Sequence, residues 1–206
     1  MSDPVLPAPG ASPEPWLQSF TGRKVTPLDP KPEQLDVRDI AHALSNLCRY
    51  TGHVARFYSV AEHSVRVAMF LLEGDPAPVT PGMDPQRLAC FGLMHDASEA
   101  YLQDIPRPLK IQPAFAFYRA AEEKLQAMIY QAVGLTDPEP MEVKHADRVL
   151  LNTERLELLG PPPESWGEWP APLPGPQGLG WDPVYAEGQF LRLFASLFKP
   201  APEVKP

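Results

Sequence analysis

Proline placement constrains this chain more than any other feature of its sequence. Most of its 28 prolines fall in four places: the first 32 residues, a connector at 76–85, a turn at 106–113 and a stretch at 161–183. Because proline breaks helix interiors and central strands, regular elements must lie between these places. The intervening segments carry apolar residues at helical spacing, with no alternating strand pattern and no internal repeat. We therefore expect an all-α fold, a helical globule of about six helices.

Boundary signals divide the segments between the prolines into helices. Asp36 suits the N-cap of a first helix, which should fade near residues 51–52. A third helix should begin after Asp84 and Pro85 and continue through His95 to Leu102. The other helices are expected over residues 60–72, 113–134, 139–159 and 185–198.

A chain of 206 residues fits one domain with a single substantial core. We assign residues 1–20 to a proline-rich N-terminal extension and residues 21–199 to a single domain, with a Pro/Gly/Trp-rich loop at 161–183. The two cysteines, Cys48 and Cys90, lie far apart in apolar helical patterns, which is typical of reduced thiols.

Charge and hydropathy exclude several classes of partner. A net charge of −8 argues against binding a nucleic acid polymer, because that binding requires clustered Lys and Arg. A small phosphorylated substrate remains compatible, since a few local cations can bind it. No stretch approaches the roughly 20 apolar residues of a membrane span, and the N-terminus lacks a basic segment followed by an apolar run. We expect a cytoplasmic protein with no membrane partner.

The strongest chemical signal is the pair His95-Asp96 inside an otherwise apolar helical pattern. Burying two polar residues is costly unless something pairs with them, and a metal ion is such a partner. His63 and Asp147 lie in comparable settings on two other predicted helices, so the predicted metal ligands are His63, His95, Asp96 and Asp147. Two imidazoles and two carboxylates suit zinc, manganese, cobalt or iron. A lone histidine on an apolar face is more often a hydrogen-bonded core residue, so the prediction depends on the whole set.

Further carboxylates and cations flank these four residues. Glu99 follows His95 by one helical turn, and Asp104 stands at the predicted helix end. Either carboxylate could orient an attacking water or protonate a leaving oxygen, or could instead belong to a solvated helix end. The cations that could neutralise phosphate charge, each of which could equally be an ordinary surface charge, are Arg49, Arg107, Lys110 and Lys144.

The order of these residues resembles the H…HD…D signature of the HD-domain metal-dependent phosphohydrolases. His63 matches the first histidine, His95-Asp96 the central pair and Asp147 the last aspartate. The similarity spans residues 20 to 160 and is closest to two branches, the YfbR-type 5′-deoxynucleotidases and the phage-associated dATP triphosphohydrolases called DatZ. The segments 21–32 and 39–53 are more similar to the second branch.

The resemblance implies roles for individual residues. The four predicted ligands would hold the metal, and Glu99 and Asp104 would be the catalytic acids. The implied substrate-binding residues are Arg49, Tyr50, Pro108, Lys110 and Lys144. Tyr50 stands where the family has tryptophan, and Gly52 occupies a position that would help to read the base, so base preference stays open.

The function implied by the resemblance is metal-dependent hydrolysis of (deoxy)nucleoside triphosphates to nucleoside and triphosphate, with dATP among the candidates. A 5′-deoxynucleotidase that releases phosphate from dNMPs is the alternative, and a non-catalytic nucleotide-binding HD protein is a third interpretation. We expect a divalent metal ion (zinc, cobalt, manganese or iron, with magnesium entering with the substrate), a nucleotide ligand and a homo-oligomer, since the family forms homo-oligomers.

Overall fold

The structure, a computed structural model, describes residues 15–74, 80 and 83–198. Helices dominate this part of the chain, two of them of a single turn: α1 (Val37–Asn46), α2 (Val60–Glu73), α3 (Pro85–Met94), α4 (Glu99–Leu102), α5 (Arg107–Lys110), α6 (Ala116–Ala132), α7 (Met141–Leu158) and α8 (Pro183–Leu197). A short antiparallel pair of strands, β1 (Leu17–Gln18) and β2 (Lys24–Val25), precedes them. The all-α prediction is confirmed. Residues 1–14 of the predicted N-terminal extension, and residue 199 at the predicted domain end, lie outside the described residues.

Local capping explains where several helices begin and end. Helices α1, α2, α3 and α8 follow residues whose side-chain oxygen accepts a hydrogen bond from a backbone N–H of the first turn: Asp36, Ser59, Asp84 and Asp182. Gly134, at φ +80°, follows α6 in the left-handed conformation that glycine adopts without strain. The predicted boundaries at Asp36, Asp84 and Gly134 are therefore confirmed.

Two predicted helices are shorter than expected. Helix α1 ends at Asn46, and residues Arg49–Gly52 form a separate 3₁₀ turn instead of its last turn. Helix α3 ends at Met94, and α4 begins only at Glu99. Between them the backbone N–H of Ala97 donates to the carbonyl of Met94, three residues back rather than four, which tightens the chain. The prediction of one helix continuing through the His-Asp pair to Leu102 is wrong.

The core forms where α2 packs against α1, α3, α7 and α8. Gly92 of α3 faces α2, and a Cβ atom at this position would lie 2.7 Å from Leu71 Cδ1 and 3.2 Å from the Cα atom of Ala68. The absence of a side chain therefore allows α2 and α3 to approach closely. Cys48 and Cys90 are free thiols. None of the described helices combines the length and the apolar character needed to cross a membrane.

The Pro/Gly/Trp-rich segment contains neither helix nor strand until α8 begins at Pro183. Its C-terminal part is attached to α2 by the buried carboxylate of Glu62, which accepts hydrogen bonds from the backbone N–H groups of Gly180 and Trp181. The guanidinium of Arg66 donates to the same carboxylate and lies 4.8 Å from the centre of the Trp181 ring. The C-terminal part of this loop is therefore held against α2 as a defined part of the fold.

Candidate metal centre

The four residues predicted as metal ligands come together from three elements. His63 lies in the first turn of α2, His95 and Asp96 lie in the turn after α3, and Asp147 lies within α7. His63, His95 and Asp96 each place one ligand atom within 4.8 Å of the others. Asp147 Oδ1 is 3.1 Å from His63 Nε2, and Asp96 Oδ2 is 3.1 Å from His95 Nε2. The structure thus brings His63, His95 and Asp96 around one point, with Asp147 beside His63.

Both imidazole rings present the same nitrogen to this point. His95 Nδ1 lies 2.8 Å from the carbonyl oxygen of Gly92, and His63 Nδ1 lies 2.5 Å from Oε1 of Glu154. A ring nitrogen that faces an oxygen acceptor carries the proton, so Nε2 keeps its lone pair when the ring is neutral. Neither Nε2 atom has a hydrogen-bond partner within the described residues, although both are buried. Two buried nitrogen atoms without a hydrogen bond, each 3.1 Å from a carboxylate oxygen, fit a divalent metal ion.

The carboxylates of the site raise the pKa of both imidazoles. Burial lowers the pKa of His95, but the negative charges of Asp96 and Asp147 outweigh it and raise that pKa to about 9. Burial acts in the same sense on His63, and Glu154 and Asp147 again raise its pKa. The carboxylates therefore favour the protonated form of both rings, and a bound cation would replace these protons.

The two predicted catalytic acids lie next to this cluster. Glu99 is buried, and its Oε1 atom is 3.8 Å from Nζ of Lys110, while Oε2 has no hydrogen-bond partner in the described chain. Burial, together with the negative charges of Asp96 and Asp104, raises the pKa of Glu99 well above its ordinary value. Asp104 is half-buried and follows Gln103, a non-glycine residue at φ +74°. Glu99 therefore favours its protonated form, which is the form of a general acid.

Two of the predicted substrate-binding residues, Arg49 and Tyr50, also lie at the cluster. The buried guanidinium of Arg49 bridges two carboxylates, with Nη1 3.4 Å from Asp96 Oδ2 and Nε 3.3 Å from Glu154 Oε2. The hydroxyl of Tyr50 donates to Glu154 Oε2 at 3.1 Å. Tyr50 and Thr51 both adopt φ +55°, a conformation that costs about 1–3 kcal/mol per non-glycine residue and is concentrated at functional sites.

The other three predicted substrate-binding residues differ in position. Nζ of Lys110 lies 2.7 Å from Oε1 of Glu122 on α6, so this cation is already paired. Pro108 on α5 and Lys144 on α7 are exposed. In the described part of the chain neither is hydrogen-bonded or ion-paired to the four ligands, and Lys144 lies one helical turn before Asp147.

Glu154 is the residue of this site that the sequence prediction did not include. Its carboxylate is fully buried and accepts hydrogen bonds from His63 Nδ1 and from the hydroxyl of Tyr58, at 2.5 and 2.9 Å. Burial raises its pKa, but the charges of His63 and Arg49 dominate and lower it to about 2. The sequence did contain a signal: Glu154 follows Asp147 by two helical turns and so shares its face of α7.

Two proteins are similar to this chain over most of its length. The uncharacterized protein YfdR of Escherichia coli (strain K12) is 38% identical over 143 residues, which are 69% of this chain and 72% of YfdR. The uncharacterized protein RCAP_rcc00048 of Rhodobacter capsulatus is 32% identical over 196 residues, which are 92% of this chain and 90% of that protein. No family model matches the chain.

Proposed function

The chain belongs to the same family as YfdR and RCAP_rcc00048, and we propose that it is an HD-type metal-dependent phosphohydrolase that converts (deoxy)nucleoside triphosphates to nucleoside and triphosphate. One observation carries the proposal: the buried Nε2 atoms of His63 and His95 converge, without hydrogen-bond partners in the described chain, on the carboxylates of Asp96 and Asp147. The substrate class comes from the resemblance of this residue set to the HD-domain phosphohydrolases.

The four ligands have the donor chemistry of a catalytic site. Two imidazoles and two carboxylates bind borderline divalent ions such as zinc, cobalt, manganese or iron, and they leave coordination positions for other groups. When bound, such an ion lowers the pKa of water and polarises a phosphoryl oxygen, with magnesium able to enter with the substrate phosphates. Gly92 and Glu154 hold the two rings in the orientation that this binding requires.

The chain's own groups can manage the remaining charges and protons. Water attacks the α-phosphorus, the bond between phosphorus and the 5′ oxygen breaks, and that oxygen takes up a proton. Glu99 is buried with a raised pKa, so it is suited to deliver this proton, and Asp104 beside it is suited to accept one from the attacking water. Arg49, Lys110 and Lys144 would neutralise phosphate charge.

A 5′-deoxynucleotidase acting on dNMPs is the second candidate. Arg49 is paired with Asp96 and Glu154, and Lys110 is paired with Glu122. Because these cations already have carboxylate partners, fewer positive charges are free for β- and γ-phosphates than the triphosphate reaction would use. This observation favours a substrate with a single phosphate.

Product analysis after metal stripping tests the proposal. The full chain is incubated with each dNTP and each dNMP, with and without Mn²⁺, Co²⁺ or Zn²⁺, and the products are separated by chromatography. Nucleoside and triphosphate from a dNTP support the leading function, whereas nucleoside and phosphate from dNMPs alone support the second candidate. Metal-dependent nucleotide binding without any product would support the third interpretation, a non-catalytic HD protein.

Variants connect any activity to the site. His95→Ala removes one ligand and should abolish both turnover and tight Mn²⁺ binding, measured by calorimetry. His42→Ala is the matched control, because His42 pairs with Glu187 between α1 and α8 and contacts none of the four ligands. Equal activity of the two variants would contradict the proposal.

The proposal also includes the cellular compartment and the oligomeric state. A nucleotide substrate and the two free thiols, Cys48 and Cys90, fit a reducing cytoplasmic compartment. We also propose a homo-oligomer on the basis of the HD resemblance. Light scattering coupled to size-exclusion chromatography measures the oligomeric state, and a monomeric mass would reject this last part.

A further inference from the structure

We infer that Glu154 is a positioning residue for the metal centre: it sets the tautomer of His63 and turns Nε2 of that ring toward Asp96 and Asp147. The inference rests on the proposed metal site and concerns a residue outside the predicted ligand set. Glu154 and His63 lie 91 positions apart in the sequence and meet through the packing of α7 against α2.

The first step of the argument is the number of donors that face this carboxylate. Oε1 accepts from the hydroxyl of Tyr58 and from Nδ1 of His63. Oε2 accepts from the hydroxyl of Tyr50 and lies 3.3 Å from Nε of Arg49. An ionised carboxylate is an acceptor only, and here it meets three hydrogen-bond donors and the charge of Arg49, so the ring nitrogen that faces it has to carry the proton.

The second step concerns the other side of the same ring. With the proton on Nδ1, a neutral His63 has its lone pair on Nε2, which lies 3.1 Å from Asp147 Oδ1 and 3.9 Å from Asp96 Oδ2. The opposite tautomer would place a proton where the metal has to bind. Glu154 therefore determines whether His63 can be a ligand at all.

The third step is the rigidity of the support. Glu154, Tyr58 and His63 are all fully buried, and Tyr58 also packs with Leu158 and Leu179 in a small separate apolar cluster. Tyr50 reaches Glu154 from a turn in which its own backbone has positive φ. A carboxylate held from both oxygens by aromatic hydroxyls cannot rotate away from the imidazole without breaking these hydrogen bonds.

The test is the variant Glu154→Gln, which preserves shape but replaces one acceptor oxygen with an NH₂ donor. If the NH₂ group faces His63, Nδ1 must become an acceptor and Nε2 receives the proton. If the NH₂ group faces the other way, it lies against the cationic Arg49, and the Tyr50 hydroxyl loses its acceptor oxygen. We expect the Mn²⁺ affinity, measured by calorimetry on the metal-stripped full chain, to fall about 10- to 100-fold.

Two further variants keep the test decisive. Glu187→Gln removes the carboxylate of another histidine–carboxylate pair, at His42, and should leave Mn²⁺ affinity unchanged. Tyr58→Phe removes one donor to Glu154 and should weaken Mn²⁺ binding by less than about tenfold. If Glu154→Gln does not fold by circular dichroism, Tyr58→Phe decides: reduced affinity supports the inference, and unchanged affinity overturns it.

A spectroscopic readout separates this inference from the proposed function. Nitrogen-15 NMR of the His63 ring, recorded in the metal-free protein at a pH where the ring is neutral, reports which nitrogen carries the proton. We expect the Nδ1–H form in the parent chain and a shift towards the Nε2–H form in Glu154→Gln, because the amide oxygen can face His63 only if the NH₂ group lies beside the cationic Arg49. Retention of that form and of the parent Mn²⁺ affinity in a folded Glu154→Gln variant overturns the inference. If the parent chain binds no Mn²⁺, the proposed function fails, and the tautomer measurement alone decides the role of Glu154.

Discussion

Asp147 and Glu154, two helical turns apart on α7, approach the same imidazole from its two nitrogens. Asp147 Oδ1 is 3.1 Å from Nε2 of His63, and Glu154 Oε1 is 2.5 Å from Nδ1. One face of a single helix therefore carries both a candidate ligand and the group that orients a second ligand. Any shift of α7 relative to α2 would disturb both contacts together, so the candidate metal centre depends on the packing of these two helices.

Substitution of Glu99 should separate catalysis from metal binding. Glu99→Gln removes the titratable proton but none of the four ligands, so we expect kcat to fall about 10²- to 10⁴-fold while Mn²⁺ affinity is retained. Steady-state kinetics with the active nucleotide and calorimetry with Mn²⁺ measure the two effects. Glu123→Gln, an exposed position on α6, is the control. Full activity of Glu99→Gln would remove Glu99 from the mechanism.

The pH dependence of the metal-free protein should follow His95. Its pKa is raised from 6.5 to about 9, because the charges of Asp96 and Asp147 outweigh the effect of burial. The stability that the protonated ring contributes is fully present below pH 6.5 and is lost as the pH rises through 9. A metal ion requires the unprotonated ring, so the affinity for Co²⁺ should increase over the same interval.

Thermal unfolding at several pH values between 6 and 10, with and without Co²⁺, measures both trends. We expect the Tm of the metal-free chain to fall across this interval and the increase in Tm caused by Co²⁺ to grow. In His95→Gln the metal-free decrease should be smaller. An increase in Tm on Co²⁺ addition that does not depend on pH would contradict this account.

Gly92 should be intolerant of a side chain. Gly92→Ala places a Cβ atom 2.7 Å from Leu71 Cδ1 and 3.2 Å from the backbone of Ala68, so the Leu71 side chain must move and the backbone of α2 must yield slightly. We expect a loss of about 1–3 kcal/mol in the free energy of unfolding, measured with urea. Mn²⁺ affinity should also fall, since these helices position His63 and His95.

Gly188 of α8 provides the comparison for Gly92. A Cβ atom there meets nothing closer than Arg192 Nη2 at 3.7 Å, an ordinary contact. Because alanine is the better helix former, Gly188→Ala should leave stability unchanged or raise it by up to about 1 kcal/mol. A Gly92→Ala variant as stable as Gly188→Ala would show that the two helices can move apart freely.

Glu62 should control the order of the loop before α8. Glu62→Ala removes a buried carboxylate, so the backbone N–H groups of Gly180 and Trp181 and the Arg66 guanidinium lose their shared acceptor. We expect about 2–3 kcal/mol of destabilisation, since hydrogen bonds to a charged group are lost. Hydrogen exchange at the two loop amides should accelerate. Glu73→Ala, at the exposed end of α2, should change neither quantity, and unchanged exchange in Glu62→Ala would exclude this attachment.

Several features were predictable because they depend on near neighbours in the chain. Proline positions, apolar spacing and the capping residues Asp36 and Asp84 predicted the helices, since capping hydrogen bonds form within a few residues. The metal ligand types could be proposed for a similar reason. A histidine and an aspartate surrounded by apolar residues signal a buried polar group that needs a partner, wherever that partner comes from.

The sequence by itself determined the helical class, most helix boundaries and the set of candidate ligands, because each depends on local hydrogen bonding or on residue chemistry. Only the tertiary structure decided that the chain turns tightly between α3 and α4 at His95, that Lys110 pairs with Glu122, and that Glu154 supports His63. These contacts depend on how the helices pack. Helix packing is set by the sum of many weak side-chain contacts across the core, which no short stretch of sequence contains.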